Sequence, residues 1–204
     1  MQPPKQPTGR PRETRVDDAI RDAVRELVPR VGYAGLTMDA IAAKAGIGKA
    51  AIYRRHASRG ELVFSVLVHG RETRPLPDTG TLTGDLTALA NLILGIFSDP
   101  VTAAATPGLF ADLKQQPDIA ARFQETFIAE ERAQIAALLE RAHRRGELAT
   151  PADPAWVHTA VLGTAYAWVF LFAQPPTPAL ASRIATLAEA AARGTGLPGE
   201  PGID

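Results

Sequence analysis

The 204 residues, 46% hydrophobic and 22% charged, have the make-up of a globular chain long enough to bury a sizeable core, which excludes a disordered or fibrous protein. The absence of cysteine excludes disulfides, thiolate metal sites and cysteine nucleophiles together, and it suits a reducing cytoplasm. Net charge is zero, but residues 1–74 hold 14 Lys and Arg against 8 Asp and Glu while the remainder holds 8 against 14, so a polyanionic partner is expected for the front part alone.

Residues 1–13 are polar and proline-rich without the apolar run of a signal peptide, and a disordered basic arm with no export is expected. A helix follows from residue 14, because Val16, Ile20, Val24, Leu27, Val28 and Val31 recur at helical spacing behind Thr14 and Asp17, placed as the two ends of a capping box. Pro29 should bend it, and Gly32 and Gly35 should stop it. Thr37 then caps a short helix to residue 45, Gly46 breaks the chain, a third helix fits 49–55, and Ser58 precedes a fourth over 61–71.

The stretch from Gly35 to Tyr53 has the requirements of a helix-turn-helix. Two short helices crossing steeply need small residues at their closest approach, supplied by Ala42 and Ala45, and a glycine at the turn, supplied by Gly46. Ile41, Ile47 and Ile52 point inward together, which leaves Lys49, Ala50, Tyr53 and Arg54 on the outer face of the second helix. Such a face can enter a major groove.

This segment resembles the DNA-binding domain of the TetR/AcrR family of bacterial transcriptional regulators. The resemblance is carried by Thr37, Ile41-Ala42, Ala45-Gly46-Ile47, Tyr53 and Arg59, and it extends over residues 14–74. It implies phosphate contacts from Thr37, Tyr53 and Arg59 and base contacts from Lys49, Ala50 and Arg54, with Gly48 and Arg55 in the same DNA-facing set. Gly48 stands where the family usually has a capping Ser or Thr, Ala40 where an acidic residue is usual, and His56 where Phe is usual; His56 reads as a packed histidine near the turn, with a pH switch as the alternative. Arg10-Pro11-Arg12 resembles a minor-groove arm, although a solvated tail accounts for the same residues.

Residues 75–84 are rich in Pro, Gly and Thr and read as a junction, giving a second domain over 75–204. Helices are expected over 85–97, around 109–114, over 118–145, over 154–172 and over 178–193. With no strand alternation anywhere, the fold class is all-α. The apolar run 155–173 approaches a membrane span in length, but His158, Thr159 and Thr164 interrupt it and no basic cluster flanks it, so it reads as a bundle core.

The run Leu138 to Leu148, with Asp153-Pro154 and Gly163-Thr164-Ala165-Tyr166, resembles the C-terminal domain of one broad TetR subgroup. That implies a small-molecule effector cavity among the middle helices and homodimerisation through the last two, and together with the DNA-binding domain it implies a palindromic operator. Phe97, Phe110, Phe127, Glu131 and Tyr166 are the candidate cavity residues. Glu131 lies near the centre of an apolar stripe formed by Phe127, Ile128, Ile135, Leu138 and Ala142, where a carboxylate either reaches solvent or needs a partner: a ligand, or an arginine of its own subunit. Ala160, Gly163 and Ala167 are the candidate close-approach residues of the interface.

Other chemistries find little support. Gly194-Thr195-Gly196-Leu197-Pro198-Gly199 follows a helix rather than a strand and opens nothing. His56, His69, His143 and His158 have no metal-ligand spacing, no serine sits in a nucleophile elbow, and no cofactor motif is read. An adaptor that has lost DNA binding, or an enzyme, are the rival classes.

Overall fold

The computed structural model describes residues 10–68, 76–150 and 152–194, with the backbone only for residues 10–13 and 68. Among these residues every regular element is helical and there is no strand, as the hydrophobic periodicity predicts. Packing divides the chain into two units: residues before position 70 together with Pro100–Ile119, and residues 70–99 together with 120–204. A linear split at 74/75 therefore does not describe the packing, because a helix from beyond the junction joins the first unit.

In the first unit, α1 (Arg10–Gly35) begins earlier than the expected cap at Thr14, so the backbone of Arg10, Pro11 and Arg12 is helical rather than an extended arm. Pro11 is tolerated because the first turn's N–H groups have no helical acceptor. Residues 1–9 of the expected arm lie outside the described residues. The break in α1 falls at Gly32, with φ 68° and ψ 172°, while Pro29 stays inside the helix; that backbone conformation is open to glycine and strained for other residues.

Thr37 Oγ1 accepts the Ala40 N–H at 3.1 Å and caps α2 (Met38–Ala45). Gly46, left-handed at φ 66°, closes it, and the following Ile47 N–H returns to the Ala42 carbonyl at 3.1 Å. The next helix, α3 (Lys49–Tyr53), starts from Gly48 without a side-chain cap. For α4 (Arg59–Val68), Ser58 Oγ accepts the Glu61 N–H at 3.1 Å while the Glu61 carboxylate accepts the Ala57 N–H at 2.8 Å. This capping exchange starts α4 two residues before the expected position.

Ile20, Val24 and Val28 of α1, Ile41 of α2, Ile52 of α3 and Leu62 of α4 form one core. Val101, Ala105 and Leu109, four apart on α6 (Pro100–Gln115), join it. The expected short element around 109–114 is thus the end of a longer helix that packs on α1 and α4.

The second unit contains α5 (Leu82–Ser98), capped by Thr81, and α8 (Ala129–Arg144), α9 (Pro154–Tyr166) and α10 (Pro178–Ala192). Its core joins Leu86 and Ile93 of α5, Ile135 and Leu138 of α8, Val157 and Val161 of α9, and Ile184 and Ala185 of α10. Two expected helices are each interrupted by a wider π turn. The first becomes α7 (Pro117–Arg122), a π turn over Phe123–Ile128 and then α8; the last turn of the apolar helix is π over Ala167–Leu171. Phe123 and Ile128, five residues apart, are both buried, and a π turn brings that spacing to one side where an α turn would not. No single helix among the described residues is long and apolar enough to cross a membrane.

A buried carboxylate anchors the start of the second unit. Asp85 accepts from the Thr79 N–H at 2.6 Å, the Thr79 hydroxyl at 2.7 Å and Arg145 Nη2 at 3.2 Å. Arg145 also reaches Glu147 at 2.6 Å, and Glu147 accepts the Leu82 N–H at 2.7 Å. Burial of Asp85 would raise its pKa, but the Thr79 and Arg145 bonds outweigh burial and hold it below 3.8.

Candidate nucleic-acid interface

Ile52 is fully buried while Lys49, Ala50, Tyr53 and Arg54 are all exposed. The structure thus places these four expected residues on one outer face of α3, fixed by an anchor in the core. Thr37 is exposed at the N-terminus of α2, its oxygen occupied by the Ala40 N–H and its hydroxyl hydrogen left to donate.

Most cations near this face have acidic partners in their own unit. Lys49 Nζ lies 2.5 Å from Asp39, Lys44 Nζ 2.5 Å from Glu26, and Arg55 Nε 2.9 Å from Asp17. Arg55 also returns Nη1 to the Ala51 carbonyl at 3.3 Å, so its side chain lies back along α3 toward α1. The carboxylates of Asp39, Glu26 and Asp17 hold the free protein's side chains near the surface, where such pairs are weak and exchangeable.

Arg59 is held differently. Its guanidinium lies 4.3 Å from the centroid of the Tyr33 ring, donates to the carbonyls of Ala34 and Leu36 at 3.4 Å, and meets Asp112 of α6 at 3.2 Å. The Tyr33 hydroxyl donates to the same Asp112 oxygen at 2.5 Å. Burial first, then the Asp112 hydrogen bond, push the Tyr33 hydroxyl well above its ordinary pKa. Tyr33 and Asp112 had no sequence signal, since the partners are 79 and 53 positions from Asp112 along the chain.

The candidate cavity residues divide between the units. Phe97 and Tyr166 come together with ring centroids 6.3 Å apart, and Phe170 lies 5.1 Å from Phe97 and 5.0 Å from Tyr166. Phe127 packs on Phe123 at 5.4 Å, whereas Phe110 belongs to the first unit. Glu131 meets His158 of α9 rather than an arginine: Oε2 and Nε2 are 2.9 Å apart, with side-chain exposures of 20% and 6%. The contact lacks hydrogen-bond geometry, and neither atom has another hydrogen-bond partner among the described residues. His158 shares an inward face with Val157, Val161 and Ala165, and that apolar stripe was the signal for its burial. Ala160, Gly163 and Ala167 are exposed or half-buried, and Trp156 of α9 and Leu187 of α10 are exposed large apolar residues. No group of three or more His, Asp or Glu among the described residues is placed to hold a metal ion.

A capped helix, a left-handed glycine turn and an exposed, core-anchored second helix define a helix-turn-helix protein of the DNA-binding class. Residues 20–66 match the family described as bacterial regulatory proteins, tetR family, and residues 76–188 match the tetracyclin repressor-like C-terminal domain. The chain is 32% identical over 149 residues to the uncharacterized HTH-type transcriptional regulator Rv1556 of Mycobacterium tuberculosis, covering 72% of this chain and 71% of that one. It is 30% identical over 142 residues to the HTH-type transcriptional regulator YdeS of Bacillus subtilis, covering 69% and 71%. Among solved structures, Salmonella enterica GusR has a TM-score of 0.69 at 17% identity over 91% of this chain and 98% of its own. The regulator FadR of Bacillus subtilis, in complex with stearoyl-CoA, has a TM-score of 0.63 at 18% identity over 85% and 98%. The chain belongs to the tetR family of bacterial transcriptional regulators.

Proposed function

We propose that the protein is a cytoplasmic, nucleoid-associated repressor that binds a palindromic operator as a two-fold homodimer and leaves it when a small molecule binds the second unit. The observation that carries the DNA-binding part is the exposure of Lys49, Ala50, Tyr53 and Arg54 around a buried Ile52. Arg54 and Lys49 suit base acceptors and the Ala50 methyl suits a thymine methyl; Thr37, Tyr53 and Arg59 suit phosphates. Gly48 lets the backbone approach closely, and Arg55 can exchange Asp17 for a phosphate. Two copies are needed because one short recognition helix reads too few base pairs, and paired helices must meet successive major grooves about 34 Å apart.

The dimer contact is assigned to α9 and α10, where Trp156, Ala160 and Gly163 recur at helical spacing on α9 and Leu187 of α10 is also exposed. The effector is assigned to the second unit, near the Glu131–His158 contact and the rings of Phe97, Tyr166 and Phe170. An apolar ligand carrying a cationic or hydroxyl group fits these neighbours better than a simple anion, because Glu131 would repel a second carboxylate.

The test is selection of bound sequences from random duplexes, repeated with Arg54→Ala. An inverted repeat whose half-sites change in the variant is expected. Recovery of no sequence preference by the wild-type protein would overturn operator recognition and favour the adaptor class.

A further inference from the structure

Asp112, the partner of Arg59, is less exposed than the carboxylates paired with Arg21, Lys44, Lys49 and Arg55. The side chains of Arg59 and Asp112 are 30% and 21% exposed, against 19% and 52% for Arg55 and Asp17 and 63% and 59% for Lys49 and Asp39, so solvent screens the Arg59 pair less than pairs whose carboxylate stands open. Yet its geometry is that of a loose grip. A single Nη2 meets a single carboxylate oxygen at 3.2 Å, longer than the roughly 2.7–2.9 Å of a strong charge-assisted bond and without the paired contacts of a fork.

The Tyr33 hydroxyl holds that same oxygen at 2.5 Å. Tyr33 is itself fixed, since it is buried and its ring lies hard against Gly108. Departure of the guanidinium would therefore leave Asp112 with a short hydrogen bond rather than orphaned, which removes the main cost of breaking a partly buried pair. Arg59 also touches the Leu36 carbonyl, next to Thr37 at the N-terminus of α2. It thus stands beside the second residue assigned to phosphate.

We propose that Asp112 is an intramolecular stand-in for a DNA phosphate: it holds Arg59 in the free protein and is exchanged for a phosphate oxygen on DNA binding. Asp112, from a helix outside the helix-turn-helix, thereby lowers DNA affinity, and Tyr33 sets by how much. The inference rests on the phosphate role proposed above for Arg59.

Binding of the full chain to a random-sequence duplex about three helical turns long, measured across a salt series, tests it without knowledge of the operator. Asp112→Asn is expected to bind up to about tenfold more tightly near about 0.1 M salt, with a log–log salt slope steeper by up to about 0.9, the share of one phosphate. Tyr33→Phe leaves Asp112 more dependent on Arg59 and is expected to bind about threefold more weakly. In an Arg59→Gln background the Asp112→Asn gain should vanish.

Equal gains in both backgrounds would reveal a general effect of removing negative charge and overturn the exchange. So would unchanged or weaker binding by a folded Asp112→Asn protein. If Asp112→Asn fails to fold, Tyr33→Phe decides: weaker binding with a native thermal transition supports the exchange, and unchanged or tighter binding overturns it. Arg59→Gln alone separates the two layers. Unchanged affinity there would remove the phosphate role itself, whereas weakened binding without the Asp112→Asn gain would remove only the exchange.

Discussion

Gly108 lies so close to Tyr33 that a methyl group added at its Cα would stand 2.3 Å from the ring's Cδ1. Tyr33 is buried, so neither partner can yield cheaply. The approach is what seats α6 on α1. Gly108→Ala is expected to cost about 1–3 kcal/mol of stability through overpacking. Gly95 provides the contrast, being exposed inside α5 with nothing within 4 Å of an added Cβ; Gly95→Ala should stabilise by about 0.5–1 kcal/mol. Urea midpoints of the two variants measure both, and a loss at Gly95 equal to that at Gly108 would remove the packing explanation.

Acid should act on the Asp85, Arg145 and Glu147 network. The carboxyl of Asp85 is held below its ordinary 3.8 because the Thr79 and Arg145 bonds outweigh its burial, and that of Glu147 below 4.5 by the Leu82 N–H and then Arg145. Folded values below unfolded ones mean that this stabilisation is complete above 4.5 and is lost as pH falls through the ordinary values and beyond. Asp85→Asn should be less stable at neutral pH and show a shallower fall in stability between about pH 5 and 3. Equal slopes in the two proteins, measured by urea titration at each pH, would count against the assignment.

Gly163 is exposed within α9, and an added Cβ there meets nothing within 4 Å. In an isolated subunit a larger residue would fit without a clash. Gly163→Leu is therefore expected to leave the thermal transition of the subunit intact while weakening self-association by at least about tenfold, through loss of close approach at the proposed interface. Sedimentation equilibrium reads the effect. Unchanged association would move the interface away from this stripe.

The Glu131–His158 contact predicts a ligand preference. Alkyl amines and alcohols should raise the thermal midpoint more than carboxylates of equal chain length, and Glu131→Gln should reduce the advantage of the amines. Equal shifts from amine and carboxylate in both proteins would exclude Glu131 from the ligand's surroundings.

What could be read from the chain is what neighbours in sequence decide. Thr37, Gly46 and Ile52 announced the helix-turn-helix because a cap, a left-handed turn and an anchor act over a few residues. Ser58 likewise marked the start of α4. Pro29 misled, since a proline can stay inside a helix whose break is supplied at Gly32. The π turns at Phe123–Ile128 and Ala167–Leu171 contain neither proline nor glycine and leave no local mark; burial of Phe123 and Ile128 on one side accompanies the first.

The sequence by itself determined the all-α class, the helix-turn-helix, the outer face of α3 and the charge contrast between front and remainder, because these follow from periodicity, capping and composition. Only the tertiary structure decided that α6 joins the first unit, that Arg59 meets Asp112 and Tyr33, and that Glu131 meets His158. Those contacts join residues 26 to 79 positions apart. Side chains that distant are brought together by the burial of Val101, Ala105 and Leu109 in one core and of Val157 and Val161 in the other, a cooperative outcome that no local pattern encodes.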